Sequence, residues 1–432
     1  MKQEIQYMPQ EKIKKIQEAL FKSTVDYLTN HSDYYKKMLE VNNIDPSTIN
    51  TLGDLERMPI TTKEDLLKYN NQCYCLDLSD AADIVSTSGS TGLRPIVHPL
   101  TQTDLHRLAY NEQMSFNIAN MDPRERIMLS TALDGSFVAG MAYYLGVKRI
   151  GASIVRAGSK NWHLQLEILM NQNITTIIGV PSNLVKLWRY GIENDFDIRK
   201  CNVKKLILIG ESIRNKDFTL NQLGRRLVEC YPQASIHSTY ANTEICTSFC
   251  ECEFGCGGHL LPELAYAEIV DQDGRSLGEG EIGRLIITTF SSQGMPLLRY
   301  DTGDITFLCH ERCACGRTTS RIGPILSRIN NIIKINGITF SQAQIENVIL
   351  SIPQINDYCI VVSQSKEGIS TVQILYSLQP WLDSFDENIL KWQIWNSIRV
   401  NPELKCCDLE ELEKNQTVNK LRKPQRFINK TV

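Results

Sequence analysis

The sequence predicts an α/β fold in two parts. One is a large N-terminal domain (residues 1–325) with parallel-rich sheets and a β-barrel-like part; the other is a small mobile α+β domain (residues 326–432). Three observations predict it. Between residues 126 and 240, short apolar runs alternate with segments of helical spacing, the pattern of a parallel sheet covered by helices. After residue 265 the runs are joined by Asp-Gly and Gly-Glu turns, as in antiparallel strands. From about residue 326 a strand, a helix and two more strands make a separate small unit. At 432 residues and 42% hydrophobic, the chain can bury the core this division needs.

Ile13, Ile16, Leu20 and Leu28 recur at helical spacing with Lys and Glu opposite, so the first fifty residues read as helix. Pro59 and Thr61-Thr62 punctuate the chain, and another helix starts at Lys63. Parallel strands are expected at 127–129, 152–155, 176–180, 206–209 and 235–237, with helices such as 162–170 and 218–230 between them. Antiparallel strands are expected at 266–270, 284–289 and 304–308. The small unit starts with a strand at 332–335, followed by a helix at 341–350 and strands at 358–362 and 372–377. The last nineteen residues, after Glu413, carry Lys and Arg but no acid, and read as mobile.

Basic and acidic residues number 46 and 49, so the formal net charge is −3, which gives no electrostatic footprint for nucleic acid or an anionic membrane. No apolar run approaches the roughly 20 residues of a membrane span, and the first residues lack the apolar stretch of a secretory signal. Fourteen cysteines spread through a chain of this size fit thiols or a metal site in a reducing cytoplasm better than a disulfide scaffold.

Four segments carry the chemistry. Ser86, Thr87, Ser88, Gly89, Ser90, Thr91, Gly92, Leu93 and Arg94 form a loop of hydroxyls, glycines and a guanidinium, flanked by apolar Ile84-Val85 and Ile96-Val97. Glycines let consecutive N–H groups form an anion-binding concavity suited to a polyphosphate. The loop lacks the Gly-Lys-Ser/Thr ending of a Walker A sequence. Tyr240, Ala241, Asn242, Thr243 and Glu244 follow a parallel strand, where such sheets place ligands. An aromatic ring there can stack on a base, and a carboxylate can hold Mg²⁺ beside phosphates. Arg299 to Asp304 contains an Asp after a tight Gly turn, able to accept from two ribose hydroxyls. Ser327, Arg328, Ile329 and Asn330, followed by Lys334 and Gly337, mark the start of the small unit. Taken singly, each has a plainer reading: a flexible linker, a strand-to-helix loop, a hairpin turn.

In this order and spacing the four segments resemble the adenylate-forming superfamily of acyl-CoA synthetases, peptide-synthetase adenylation domains and luciferases. The resemblance is to the phenylacetate–CoA ligase branch, through the early run from Pro59 to Leu66 and the run from Cys313 to Thr318, and it covers about Tyr34 to Lys423. It implies an AMP-forming acid–thiol ligase using ATP and Mg²⁺. Ser86 to Gly92 would hold the β- and γ-phosphates, while Gly210, Glu211, Ser212 and Tyr240, with Ala241 and Asn242, would line the adenine. Thr243 and Glu244 would serve catalysis, Glu244 by binding Mg²⁺; Asp304 would bind the ribose, and Arg328 and Lys334 would reach ribose or phosphate. Lys420 falls where the family carries its C-terminal catalytic lysine; Lys423 and a merely solvated basic tail remain alternatives.

The chain departs from the family pattern at several points: two residues between Gly92 and Pro95 in place of one, Ala241 for the usual Gly, Ser327 for the hinge Gly and Asn330 for the hinge Asp. None removes a charged catalytic group.

Seven cysteines fall in two clusters, Cys246, Cys250, Cys252 and Cys256, then Cys309, Cys313 and Cys315, with His259 after the first and His310 inside the second. A Cys-x₆-His pair with a Cys-x-Cys pair supplies S₃N ligands for a tetrahedral zinc. Some members of the resembled branch have such a site, matching Cys252, His259, Cys313 and Cys315, and its role would be structural. Buried free thiols are the alternative, and Cys250, Cys256 and Cys309 leave the ligand choice open.

The substrate implied is an aromatic or small carboxylic acid, with residues 133–140 around Phe137, and Pro181-Ser182, as pocket candidates. The acceptor thiol is that of coenzyme A or the phosphopantetheine arm of an acyl carrier protein. The expected protein is a cytoplasmic monomer or homodimer, with no nucleic acid or membrane as partner. A reading of another class is a zinc-binding interaction protein with a vestigial nucleotide pocket.

Overall fold

Helix α1 (Gln10–His31) turns Ile13, Phe21, Val25 and Leu28 inward, and Ser32 both ends it and caps α2 (Asp33–Val41). The structure is a computed structural model that describes residues 5–87, 95–159, 161–335, 338–364, 370–382, 384–416 and 425–430. The chain divides into two units. Among the described residues, one comprises 5–87, 95–220 and 224–324, and the other 221–223 and those from 325 to 430.

In the large unit a capping box between Thr62 and Asp65 opens α3 (Lys63–Lys68). The ribbon of β1 (Asp83–Ser86) and β2 (Val97–Leu100) is antiparallel, and a second capping box, Thr101 with Asp104, opens α4 (Gln102–Ile118). An alternating series follows: β3 (Arg126–Ser130), α5 (Val138–Ile150), β4 (Ser153–Arg156), α6 (Trp162–Asn171), β5 (Thr176–Gly179), α7 (Pro181–Glu193), β6 (Lys205–Ile209) and α8 (Gln222–Cys230). It ends in the hairpin β7 (Ser235–Asn242) and β8 (Thr247–Cys250). The six strands lie in the order β4-β3-β5-β6-β7-β8, parallel except for β8. All of β5 and β6 is buried, which explains why they read as unbroken apolar runs.

The expected parallel strands and the antiparallel region are present, with three changes. Residues 218–221 do not join α8, because Phe218 is left-handed in a turn where Asp217 accepts from the Thr219 N–H. Strand β7 runs on to Asn242 because β8 pairs with its polar end. The barrel-like part is two open sheets among the described residues. β10 (Ala265–Val270), β11 (Gly283–Thr289) and β12 (Tyr300–Thr306) pair in that order, whereas β13 (Leu308–Cys309) leaves them at Phe307 to join β14 (Arg321–Ile322) and β9 (Gly258–His259).

The small unit holds β15 (Ser327–Arg328), β16 (Ile332–Ile335), β17 (Ile338–Ser341), α9 (Gln342–Leu350), β18 (Ile355–Gln364), β19 (Ser370–Leu378), α10 (Glu387–Ile398), β20 (Glu403–Cys406), α11 (Leu409–Gln416) and β21 (Phe427–Asn429). Its main sheet is ordered β20-β19-β18-β21. Ile345 and Ile349 of α9 and Leu390 and Ile394 of α10 share a core with Ile360 and Ile374. Of the tail expected to be mobile, residues 427–429 instead form β21, parallel to β18: Phe427 enters the core and Arg426 pairs with the buried Asp357 at 3.0 Å, while 417–424 and 431–432 lie outside the described residues. Among the described residues no helix is long and apolar enough to cross a membrane.

The inner face of α4 is polar where it meets β8. The Glu112 carboxylate accepts from the Ser248 hydroxyl at 2.8 Å, and burial pushes its pKa up to about 8. The unfolded chain releases this proton near the ordinary value of 4.5, so the contribution is complete below that pH and is lost as pH rises toward about 8. The slope is at most about 1.4 kcal/mol per pH unit. Urea titrations from about pH 5 to 8 are therefore expected to show Glu112→Gln gaining stability relative to the wild type as pH rises. A difference that does not change with pH assigns the slope elsewhere.

Candidate active site

The end of β7 and the middle of β12 meet at one hydrogen bond: the Tyr240 hydroxyl donates to Asp304 Oδ2 at 2.8 Å. Tyr240 lies across the strand pair from Phe249, their rings parallel within 9° at 6.4 Å, which sets the ring's plane. A bulge presents Asp304. Three residues, 302–304, stand opposite Leu285, with Gly303 at φ 72° and the Asp301 carboxylate accepting the Gly303 N–H. Such bulges re-aim side chains beside functional sites. Thr243 and Glu244 lie in the hairpin after Asn242, whose Oδ1 accepts from the Ile245 N–H at 2.9 Å. The Glu244 carboxylate is buried and faces the Tyr300 hydroxyl. Tyr240, Glu244 and Asp304 thus gather at the carboxyl end of β7, offering a ring face and two carboxylates.

Other predicted residues flank this group. Gly210, at φ 80°, turns the chain out of β6. Glu211 accepts from both the backbone N–H and the hydroxyl of Ser182 at 2.8 Å, joining two segments that the sequence had put near the pocket. Ser212 donates to the Arg214 carbonyl. Ser86 ends β1, and its N–H donates to the Ser136 carbonyl, which holds the loop before α5 against that strand. Ala241 is exposed on the face of β7 opposite Tyr240. Ser88, Gly89, Ser90, Thr91, Gly92 and Lys420 lie outside the described residues. Arg328 and Lys334 lie on β15 and β16 of the small unit.

Three bracing residues escaped the sequence reading. Thr61 bonds the backbone of Leu298, Arg299 and Asp301, so the early Pro59–Leu66 run braces the segment that carries Asp304. Tyr300, inside that segment, faces Glu244. Arg107 of α4 donates to the carbonyls of Phe290, Cys246 and Leu264 and to the Thr247 hydroxyl, at 2.7–2.9 Å. A lone arginine on a helix has no sequence signal for such a role.

All fourteen cysteines are free. Cys252, His259, Cys313 and Cys315 bring their ligand atoms within 4.8 Å of one another. Cys252 and Cys313 sulfurs are 3.7 Å apart, and Cys315 sulfur is 3.6 Å from His259 Nε2. A tetrahedron with metal–sulfur bonds of about 2.3 Å has sulfur–sulfur edges of about 3.8 Å, so the spacing fits a zinc-sized ion. His259 directs its other nitrogen to the Thr319 hydroxyl at 3.3 Å. Burial, with Arg317 and Arg321 nearby, holds its pKa down to about 3, which leaves the imidazole neutral as a metal ligand must be. Cys250, Cys256, Cys309 and His310 are not in the group.

The AMP-binding enzyme model matches residues 12–292. The chain belongs to this family. Phenylacetate–coenzyme A ligase of Thermus thermophilus is 28% identical to it over 404 residues, covering 90% of this chain and 87% of that protein. The Escherichia coli phenylacetate–coenzyme A ligase is 24% identical over 355 residues, covering 81% and 78%. Within the adenylate-forming enzymes the chain is thus on the phenylacetate–CoA ligase-like branch. The crystal structure of 2-hydroxyisobutyryl-CoA ligase with R3-HIB-AMP matches the fold with a TM-score of 0.85 at 17% identity, covering 98% of this chain and 91% of that one. An anthranilate–CoA ligase with anthranoyl-AMP matches at 0.58 and 15%, covering 77% and 64%.

Within this AMP-binding enzyme, Arg107 sets the site's backbone. Arg107→Met leaves the buried Phe290 and Cys246 carbonyls without the guanidinium donor, each costing about 1–3 kcal/mol, while the Leu264 carbonyl keeps the Phe290 N–H. The variant is expected to lose at least about 2 kcal/mol in urea unfolding, with part of the loss restored by Arg107→Lys; a loss below about 1 kcal/mol removes the bracing role.

Proposed function

We propose that the protein activates a carboxylic acid with ATP and passes the acyl group to the thiol of coenzyme A. The observation that carries this reading is the convergence of Tyr240, Glu244 and Asp304 at the end of β7, in a family member whose curated relatives are phenylacetate–CoA ligases. In the first step a carboxylate oxygen attacks the α-phosphorus of ATP, and pyrophosphate leaves. In the second the thiol sulfur attacks the acyl carbon of the adenylate, AMP leaves, and the thiol proton is given up. The acid is aromatic or small.

Tyr240 stacks on the adenine, with the backbone from Gly210 to Ser212 and from Ala241 to Asn242 along its edges. Asp304, an acceptor for the Tyr240 hydroxyl, accepts from a ribose hydroxyl when the nucleotide is bound. Ser86, Ser88, Gly89, Ser90, Thr91 and Gly92 hold the outer phosphates. Thr243 orients the α-phosphate, and Arg328 and Lys334 serve the ribose or phosphates. Glu244 supplies the carboxylate for Mg²⁺, which offsets the phosphate charge. Lys420 binds the carboxylate and the α-phosphate as charge builds between them.

Acid-dependent pyrophosphate release, measured over a panel of aryl and alkyl acids with and without coenzyme A, tests this reading. ATP binding without release for any acid overturns it. Lys420→Ala is expected to slow acyl-adenylate formation about 10²–10³-fold while preserving the reaction of preformed adenylate with thiol. Equal loss in both steps moves the role to another residue.

The Cys252, His259, Cys313 and Cys315 group holds a structural zinc, since four protein ligands leave no open position. Purified protein is expected to contain about one equivalent of zinc, and chelators to lower its thermal midpoint. Below about half an equivalent with no chelator effect, the four are free thiols.

A further inference from the structure

One buried carboxylate ties the loop after β6 to strand β7. Glu251, the residue after β8, is 3% exposed, and Arg214 from the β6 loop lies against it. Both Glu251 oxygens accept from Arg214 Nε, at 2.9 and 3.0 Å, and Oε2 also accepts from the Ser238 N–H at 3.1 Å. The Glu251 N–H donates to the Ser238 carbonyl at 2.9 Å, so side chain and backbone grip the same residue of β7. Arg214 in turn donates from Nη1 to the Phe218 carbonyl at 3.1 Å, and its backbone pairs with Leu220. A guanidinium shared between a carboxylate and a carbonyl in this way has little freedom to move.

The pair sits where the β6–β7 ladder stops. Those strands are paired as far as Ile209 and Thr239; Gly210 then turns the chain away at φ 80°, while β7 continues through Tyr240. Beyond that point the ladder no longer sets the distance from residues 210–212 to the Tyr240 ring. Glu251 does so instead. Arg214 lies two residues past Ser212 and accepts its hydroxyl at 3.2 Å, and Ser238 lies two residues before Tyr240. On the other side, Ser182 holds Glu211. Gly255 shows how closely the guanidinium is seated: its φ is 60°, and a Cβ there would stand 2.2 Å from Arg214 Nη2. Stability is a poor account of such a pair, because apolar side chains of similar volume often do as well in its place.

We propose that Glu251 and Arg214 are positioning residues for the nucleotide, setting the gap between the 210–212 backbone and the Tyr240 ring in which the adenine lies. The inference rests on the acid-activation reading above and adds to it two residues outside the adenine walls. Neither touches the base; each acts through the backbone it holds, Arg214 on the loop and Glu251 on both loop and strand. Loss of the pair lets the gap vary, so the nucleotide is held less tightly before and during the reaction. Interactions weakened equally in ground state and transition state raise KM and leave kcat unchanged. The acid has no contact with this gap, so its own KM is unaffected.

The test measures ATP and AMP binding to the full-length protein by calorimetry, alongside pyrophosphate release. Glu251→Gln and Arg214→Met are each expected to raise the Kd of both nucleotides at least about fivefold, with the acid's KM changed less than about twofold. Arg214→Lys should restore part of the loss. Gly255→Ala keeps every charge but displaces the guanidinium; it should weaken ATP binding alone and add nothing to Arg214→Met. Where Glu251→Gln fails to fold, the Gly255→Ala and Arg214→Lys variants decide. Unchanged nucleotide affinity in folded variants, equal losses for ATP and acid, or full additivity of Gly255→Ala with Arg214→Met overturns the proposal and leaves acid activation standing. Weakened ATP binding in the variants, with no pyrophosphate release from the wild type for any acid, removes the acid-activation reading and keeps the pair's role. A wild type that binds neither ATP nor AMP removes both.

Discussion

Arg107 carries a guanidinium into the interior and spends it on the backbone of two different sheets. Two of its partners, Cys246 and Thr247, belong to the β7–β8 hairpin; the other two, Leu264 and Phe290, flank β10 and β11. One turn earlier on α4, Asp104 takes the N–H groups of Gln293 and Gly294. Gly294 must be glycine, because a Cβ there would stand 2.0 Å from the Pro99 carbonyl. The first turns of one helix thus hold the parallel sheet and the antiparallel sheet in a fixed relation. The Tyr240–Asp304 hydrogen bond, which spans those sheets, depends on it. A planar fork with several donors suits this work, since it satisfies divergent carbonyls from one rigid group.

The same logic explains which parts of the chain could be read in advance. Strands β5 and β6 are buried along their whole length, so burial writes itself as unbroken apolar sequence. The polar ends of β7 and β12 look like loops. They are strands because partners distant in sequence pair with them, Ser248 and Phe249 for β7 and Ile286 and Ile287 for β12. Tyr240 and Asp304 sit on those polar strand segments and Glu244 in the hairpin beyond β7, which is why periodicity misplaced their elements. Tail residues 427–429 show the reverse: Phe427 and Ile428 stand among basic residues, and only pairing with β18 makes them a strand. Arg107 left no trace, and the Pro59–Leu66 run was legible without the bracing role of its Thr61, because bonds to distant backbone require no particular neighbours in sequence.

Residue spacing alone left the choice among the cysteines open for a related reason, although the four that the resemblance implied are the four brought together. Eight Cys and His candidates besides His259 crowd two short stretches, and strand parity does the sorting. Cys250 sits on the face of β8 that looks at Glu112, Tyr143 and Thr239, so it belongs to the polar contact between that strand and α4. Cys252 lies two residues beyond the strand and turns to the other cluster.

The metal-fitting group also shares the economy of the bracing residues. Cys252 follows β8, His259 lies on β9, and Cys313 and Cys315 occupy the turn between β13 and β14. None belongs to the Tyr240, Glu244 and Asp304 group, and with four protein ligands no position is open to a substrate. An ion there would tie the chain leaving the β7–β8 hairpin to the chain leaving β12, closing a loop of more than fifty residues with one tetrahedral centre. The two strands that present the Tyr240 ring and the Asp304 carboxylate would then be held at both ends, by Arg107 beside the hairpin and by the metal beyond it. A site built from the Tyr240 ring on one sheet and the Asp304 carboxylate on another needs those sheets fixed in advance, and this arrangement fixes them with groups that stand apart from Tyr240, Glu244 and Asp304.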